Sequence, residues 1–149
     1  MNFARDERRE LEEAIRAGER ALQALRKAED RLGKAWGWGI FDLVSAGVIS
    51  SFIKHRMVDQ AAECVNEAEI CLRSFSQKIK DVRDGDLLRF DGLTRFVDIF
   101  VDNIFVDLLV QRRIKELIQR MRSASASVQS LLDRLYQLEH QLEREAGSV

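Results

Sequence analysis

The spacing of apolar and small residues constrains this sequence to long helices. Between residues 2 and 36, 57 and 83, and 111 and 145, such residues follow one another at alternating steps of four and three. This heptad pattern is typical of helices that pack along their whole length. The positions are Ala14, Gly18, Ala21, Leu25, Ala28, Leu32 and Ala35; Ala61, Val65, Ala68, Leu72, Phe75, Ile79 and Val82; and Ile114, Leu117, Met121, Ala124, Val128, Leu131, Leu135, Leu138 and Leu142. The sequence therefore predicts three long, coiled-coil-like helices.

Composition agrees with an all-α fold. The chain has no proline, and 33% of its 149 residues are charged, mostly residues with good helix propensity. A chain of this length suits one domain, so we expect a single domain over 1–149. The predicted architecture is an elongated antiparallel bundle of three to four long helices plus a short buried helix.

The first helix has one flank of very small side chains. Small residues allow a neighbouring helix to approach closely, and those along this flank are Ala14, Ala17, Gly18, Ala21, Ala24 and Ala28. We therefore expect the closest helix packing along this flank.

The shorter segments complete the predicted helices. An apolar helix is expected at 42–54 and another at 92–110, the second apolar on most sides and therefore buried. The segments 92–110 and 111–145 form either one helix or two. The predicted helices thus cover about 2–36, 42–54, 57–83, 92–110 and 111–145.

Charge and hydropathy argue against two classes of partner. A net charge of −1 gives no general attraction to nucleic acid, and the basic residues of 112–122 spread around their helix. The apolar run 36–53 is just long enough to span a membrane, but Asp42 and three glycines interrupt it. Membrane insertion is therefore not expected, and interfacial contact through Trp36, Trp38, Ile40 and Phe41 is a weaker alternative.

The two cysteines indicate a reducing compartment. Cys64 and Cys71 lie seven residues apart on one predicted helix, which separates their Cα atoms by about 10 Å. A disulfide needs less than about 7 Å, so both should be free thiols. The first ten residues are too charged for a signal peptide, and the cytoplasm is the expected compartment.

Several polar residues break the apolar pattern and form a candidate cluster. On a helical wheel Asp107 shares a face with Phe96, Phe100, Asn103 and Gln111, so it is the acid expected to be buried. A buried carboxylate needs a partner, which Lys54 or His55 could supply for Asp107 or Asp42. The proposed cluster, which would fix the helix register, contains Asp42, Lys54, His55, Asp59, Asp102 and Asp107.

Catalytic and metal signatures are weak in this sequence. Neither His55 nor His140 belongs to the Glu-x-x-His pair of di-iron bundles. His55 and Asp59 lie four residues apart and could ligate a divalent metal together with Asp107 or Asp42, although a structural ion pair is the favoured interpretation. No activated-nucleophile or phosphate-binding motif occurs. We therefore expect no cofactor, and an enzyme is not favoured.

Two blocks of the chain resemble an uncharacterised family of small helical bacterial proteins. The first block is Trp38-Gly39-x-Phe41-Asp42, Gly47, Ile49-Ser50, Lys54-His55 and Asp59-x-Ala61, with Trp36 just before it. The second is the Phe- and Asp-rich stretch 96–111 with Ile114. This chain has Ser45 and Ala46 where the family pattern has glycines. The resemblance implies that the two blocks form one site, and it implies no reaction.

These patterns together favour a structural or protein-interaction module. A small chain cannot cover the heptad faces of such long helices on all sides, so part of these apolar faces should stay exposed. We therefore expect a homodimer through the first helix, the last helix or both, or a helical protein partner. The alternative is binding of a small ligand or divalent metal by the polar cluster.

Overall fold

Long helices form where the heptad spacing predicts them. The computed structural model describes residues 3–37, 51–82 and 104–147, with side chains at 5–34, 59–82 and 104–147. The helices are α1 (Phe3–Gly37), α2 (Ser51–Asp81), α3 (Ile104–Val110) and α4 (Ile114–Gly147). The predicted all-α class, a helical bundle, is confirmed.

Helix α1 runs opposite to both of its long neighbours. Lys78 Nζ of α2 lies 3.2 Å from Glu13 Oε2 near the start of α1. Arg122 Nε at the start of α4 lies 2.7 Å from Glu29 Oε1 near the end of α1. Helices α2 and α4 are therefore parallel to each other, and α1 is antiparallel to both. The short helix α3 packs against α2 and α4.

The heptad positions form the core. Every one of them with a described side chain is buried, except that Leu138 and Leu142 at the end of α4 are only partly buried. All four helices contribute large, fully buried side chains, such as Leu25 of α1, Phe75 of α2, Phe105 of α3 and Leu131 of α4, and α1 adds many buried alanines. The sequence therefore predicted the core correctly.

At Gly18, side chains of both α2 and α4 pack tightly against α1. A Cβ atom on Gly18 would lie 2.7 Å from Leu132 Cδ2 of α4 and 2.8 Å from Phe75 Cε1 of α2. Carbon atoms pack at about 3.5 to 4.0 Å, so a larger residue at this position would require the Leu132 methyl and the Phe75 ring to shift. The small side chains of α1 thus allow α2 and α4 to pack closely against it, as the sequence predicted.

Helix α2 is longer than expected at its start. The sequence predicted a break between 54 and 57, but one helix spans Ser51–Asp81, which corrects that boundary. The reason is local: this stretch contains no glycine or proline, and the change from apolar to charged residues at Lys54 does not end a helix. The rest of the predicted helix 42–54, and residues 92–103, lie outside the described residues.

A turn at residues 111–113 separates α3 from α4. Arg112 has a φ of 59°, and its amide donates to Leu109 O at 3.1 Å while Arg113 N donates to Leu108 O at 2.9 Å. These are the two hydrogen bonds of a Schellman motif, which ends a helix with one residue in the left-handed conformation. Leu117 N then donates to Arg113 O at 3.0 Å and begins α4. The chain therefore forms two helices here.

Tyr136 links α4 to α1 on the bundle surface. Its hydroxyl donates to Glu19 Oε1 over 2.7 Å. This hydrogen bond to a carboxylate, with a smaller contribution from burial, raises the pKa of Tyr136 to about 12. The phenol therefore stays neutral and keeps donating to Glu19 at physiological pH.

Candidate functional site

The predicted polar cluster lies mostly outside the described part of the molecule. Asp42 and Asp102 are outside the described residues, as are Trp38 and Phe41 of the first motif block. Lys54 and His55 belong to α2 and Trp36 to α1, but their side chains are not among the described ones. The structure therefore leaves the joint cluster, and its use by a metal or ligand, as a prediction.

The two cluster members with described side chains are both exposed. Asp59 lies on the surface of α2, in accord with a polar role. Asp107 lies in the first turn of α3 and is exposed, so its predicted burial is wrong. The buried face of α3 is set by Phe105 and Leu108, three residues apart, and Asp107 points away from this pair on the helix.

The buried acid of the described bundle is Glu69 of α2, which is 6% exposed. Its Oε1 accepts a hydrogen bond from Phe105 N at 2.8 Å and another from Val106 N at 3.2 Å. These amides belong to the first turn of α3, where backbone donors have no partner within the helix. Glu69 therefore caps α3 from a neighbouring helix.

Burial and hydrogen bonding oppose each other at Glu69. Desolvation raises the pKa of this carboxyl above its ordinary value, while the Val106 and Phe105 amides and the charge of Arg73 lower it. The negative charge of Asp107 adds a smaller upward contribution. The net shift is upward, so burial outweighs the two donors. Because both amides occupy the carboxylate, its role is to anchor α3.

A search of the described residues for metal ligands is negative. They contain no group of three or more His, Cys, Asp and Glu side chains placed to hold a metal ion. Glu69 and Asp107 form a pair of acids at most, and Arg73 contributes an opposing charge. The described bundle therefore lends no support to a metal site built around α3.

Both cysteines of the chain lie on α2 as free thiols. Cys64 is buried and Cys71 is partly buried, and both are free. Burial, followed by the charge of Glu67, raises the pKa of Cys71 above its ordinary value, against the opposing effect of Arg20. A raised pKa lowers the thiolate fraction at neutral pH, so Cys71 is not an activated nucleophile.

A small groove, lined in about equal part by apolar and polar side chains, lies where the start of α1 meets the ends of α2 and α4. We call it the end groove; its volume is about 160 Å³. Leu11, Val82, Leu138 and Leu142 provide its apolar lining, and the exposed residues Glu7, Gln141 and Glu145 provide its polar lining. Leu138 and Leu142 are the last two heptad positions of α4, the two that stay partly exposed. Among the described heptad residues, these two at the end of α4 are therefore the ones that keep some exposed apolar surface.

A second, shallower groove runs between α1 and the first half of α4. Four of the five charged residues that line it are already paired: Arg122 Nε lies 2.7 Å from Glu29 Oε1, and Lys34 Nζ lies 3.2 Å from Asp30 Oδ2. Ile118 is its one large apolar side chain. Paired surface charges with little apolar area offer weak binding, so the end groove is the stronger candidate site.

No described helix combines the length and the apolar content that a membrane crossing requires. Comparisons of the chain with protein-family models, with curated proteins and with solved structures give no match.

The sequence held one signal for the end groove. Leu138 and Leu142 continue the heptad pattern to the end of α4, opposite the start of α1, where Leu11 is the first buried leucine among the described side chains. The groove itself depends on how three helix ends align, which heptad spacing alone does not fix.

Proposed function

We propose that the protein is a helical-bundle interaction module, and that the end groove is the surface with which it holds a protein partner. The observation that carries this proposal is the pair Leu138 and Leu142, heptad residues left partly exposed over a groove of about 160 Å³. An apolar recess with a polar border is the usual form of a side-chain docking site.

The chemistry of the groove defines the partner. Leu11, Val82, Leu138 and Leu142 accept aliphatic groups, while Glu7 and Glu145 place carboxylates beside them. The best fit is a segment with one or two branched aliphatic side chains next to Lys or Arg.

The long helix faces are a poorer choice for the contact. The expectation of a dimer through α1 or α4 assumed that parts of their heptad faces are exposed. Within the described bundle, α1, α2 and α4 bury these faces against one another, and only the end of α4 leaves them partly open. Docking at the end of the bundle therefore replaces packing along its side in this proposal.

The remaining parts of the proposal rest on the sequence. The cytoplasm is the proposed compartment, in keeping with two free thiols on one helix. A bacterial family with the two motif blocks described above is the proposed relationship. Ligand or metal binding by the polar cluster, and membrane contact through the tryptophans, are the alternatives, and no described contact favours either.

Selection of peptides from a display library against the purified protein tests the proposed function. The enriched peptides are expected to carry aliphatic residues beside Lys or Arg. Leu142→Glu should weaken their binding at least tenfold, because it places a charge in the groove. Ile70→Glu is the matched control, since Ile70 is 58% exposed on α2, away from the groove.

Thermal melting of both variants would show that each keeps its fold. Two results would contradict the proposal: no enrichment above a control protein, or equal loss of binding in Leu142→Glu and Ile70→Glu.

A further inference from the structure

We propose that the outer face of α1 binds the phosphate backbone of a nucleic-acid duplex. All the side chains that form this face are exposed. Its six cations, which we call the basic stripe, are Arg5, Arg9, Arg16, Arg20, Lys27 and Arg31. None of them lines the end groove, so the basic stripe is a second surface and does not depend on the proposed function.

The basic stripe arises from an eleven-residue repeat in the sequence of α1. Three pairs of cations, each pair four residues apart, recur at this interval: Arg5 and Arg9, Arg16 and Arg20, and Lys27 and Arg31. Eleven residues turn an α-helix by about 1,100°, only about 20° more than three full turns. The three pairs therefore lie almost in line, along about 39 Å of helix at 1.5 Å per residue.

The packing of α1 directs the basic stripe to solvent. Leu25 is fully buried on the face of α1 that contacts α2 and α4. Arg16 lies nine residues before Leu25 and Lys27 two residues after it, which places both about half a turn from it around the helix. Two long helices thus support α1 from behind, and a rigid array of charges loses little entropy on binding.

The acids of α1 compensate the basic stripe only in part, because four of them have other partners. Asp30 pairs with Lys34 on α1 itself. Three more accept hydrogen bonds from α2 or α4, in the pairs Glu13 with Lys78, Glu19 with Tyr136, and Glu29 with Arg122. These contacts use negative charge of α1 to hold the bundle together, and they leave positive charge on its outer face.

Five of the six cations have no carboxylate within ion-pair distance among the described residues. The exception is Arg9, whose Nε lies 4.0 Å from Glu13 Oε1, a weak contact at an exposed site. Arg16 Nε donates to the backbone carbonyl of Glu12 at 3.4 Å, which does not neutralise its charge. The net charge of −1 is an average over the chain, whereas binding depends on the charges of one surface.

The chemistry of the basic stripe favours phosphate groups. Five of its six cations are arginines, and the planar guanidinium group can bind two oxygens of one phosphate at once. The exposed large hydrophobic side chains of the described residues are Ile70 and Val110, and neither belongs to α1. A helix that lies on a membrane inserts an apolar face, and a helical protein partner needs an apolar seam. A partner bound through charge alone therefore fits this face best.

The length of the basic stripe favours a duplex. Double-stranded DNA carries one negative charge per about 1.7 Å of its axis, so it can offer phosphates along all of the roughly 39 Å of the stripe. Single strands are held largely by stacking on aromatic side chains, and residues 5–34 contain no Phe, Tyr or Trp. Phosphate contacts carry no sequence information, so two duplexes of unrelated sequence should bind alike.

Fluorescence anisotropy of a labelled DNA duplex of about 25 base pairs, titrated with the full chain at several salt concentrations, tests the proposal. Each neutralised phosphate contributes about −0.9 to the slope of log affinity against log salt. With five or six cations in contact, the slope should be about −5.

Two pairs of substitutions that remove the same charge locate the contact. Arg16→Gln with Arg20→Gln should lower the affinity at least tenfold and reduce the size of the slope by about 2. Arg113→Gln with Arg120→Gln is the matched control, since both guanidinium groups pair with Glu116 on α4, and it should leave the slope unchanged. Arg16→Lys with Arg20→Lys keeps the charge and should restore the slope. Thermal melting shows that each variant is folded.

Three results would overturn the inference: no binding to the duplex at about 50 mM salt, equal loss of affinity in the two glutamine pairs, or tighter binding to phosphatidylserine vesicles or polyglutamate than to the duplex. Peptide selection tests the end groove separately. Because the two surfaces share no residue, either proposal can fail while the other stands.

Discussion

Replacing Gly18 by leucine is expected to lower the free energy of unfolding by about 3 kcal/mol, the upper range for overpacking a core. The new Cβ atom would lie 2.7 Å from Leu132 Cδ2 and 2.8 Å from Phe75 Cε1, and the rest of the side chain has no space between the helices. Either α2 or α4 must move away from α1. Urea denaturation followed by circular dichroism measures the loss.

Gly33 provides the matched control on the same helix. A Cβ atom there meets nothing within 4 Å, so Gly33→Ala should stabilise the protein by about 1 kcal/mol through helix propensity. Gly18→Ala gains the same helix propensity, but its Cβ atom would lie too close to Phe75 and Leu132. It should therefore be less stable than Gly33→Ala. Equal stabilisation by the two alanines would show that the three helices do not converge at Gly18.

Replacing Glu69 by leucine is expected to cost about 2 to 4 kcal/mol, because a buried donor without an acceptor costs about 1 to 3 kcal/mol. The substitution leaves Phe105 N and Val106 N without the oxygen that now accepts from both. Glu69→Gln keeps an acceptor oxygen and should stay within about 1 kcal/mol of wild type. Chemical denaturation measures both, and hydrogen exchange at these two amides locates the change. Equal stability of the leucine and glutamine variants would contradict the cap.

Wild type and Glu69→Gln should differ in how their free energy of unfolding depends on pH. Burial raises the pKa of Glu69 above its ordinary 4.5, so the folded state favours the protonated acid. Its contribution to stability is complete below about pH 4.5 and is lost as pH rises through the raised pKa. Glu69→Gln does not titrate, so it should gain stability relative to wild type over that interval. A difference that stays constant with pH would contradict the shift.

The core could be predicted from sequence because it depends on spacing alone. Residues such as Leu25, Leu72 and Leu131 lie at heptad positions, and burial follows wherever a long helix finds a neighbour. Gly18 belongs to the same pattern, since its position in the small flank of α1 indicates close packing. The predicted break before residue 57 failed because a change in composition is not a helix stop.

The details that depend on long-range contact could not be predicted. Glu69 accepts from an amide 36 residues away, and no local pattern connects an acid on α2 to the first turn of α3. Asp107 was predicted to be buried because the helical wheel was drawn over the longer predicted helix 92–110. The residues that defined its face there, such as Phe96 and Phe100, lie outside α3. Arg112 takes the left-handed conformation without the glycine or asparagine that normally signals it.

The end groove could not be predicted from the sequence, because it too depends on contacts between distant parts of the chain. The sequence directs attention to conspicuous residues such as Asp42 and His55, whereas the end groove is built from leucines that look like ordinary core. Only the alignment of three helix ends shows that Leu138 and Leu142 border a groove and stay partly exposed.

Nuclear Overhauser contacts between the labelled wild-type protein and an unlabelled peptide selected from the library test the central claim most directly. A spectrum filtered for contacts between different molecules reports which methyl groups the peptide meets. The account predicts contacts from the aliphatic side chain of the peptide to the Leu138 and Leu142 methyls. Contacts with another face of the bundle, or none at concentrations where the peptide saturates the protein, would contradict it.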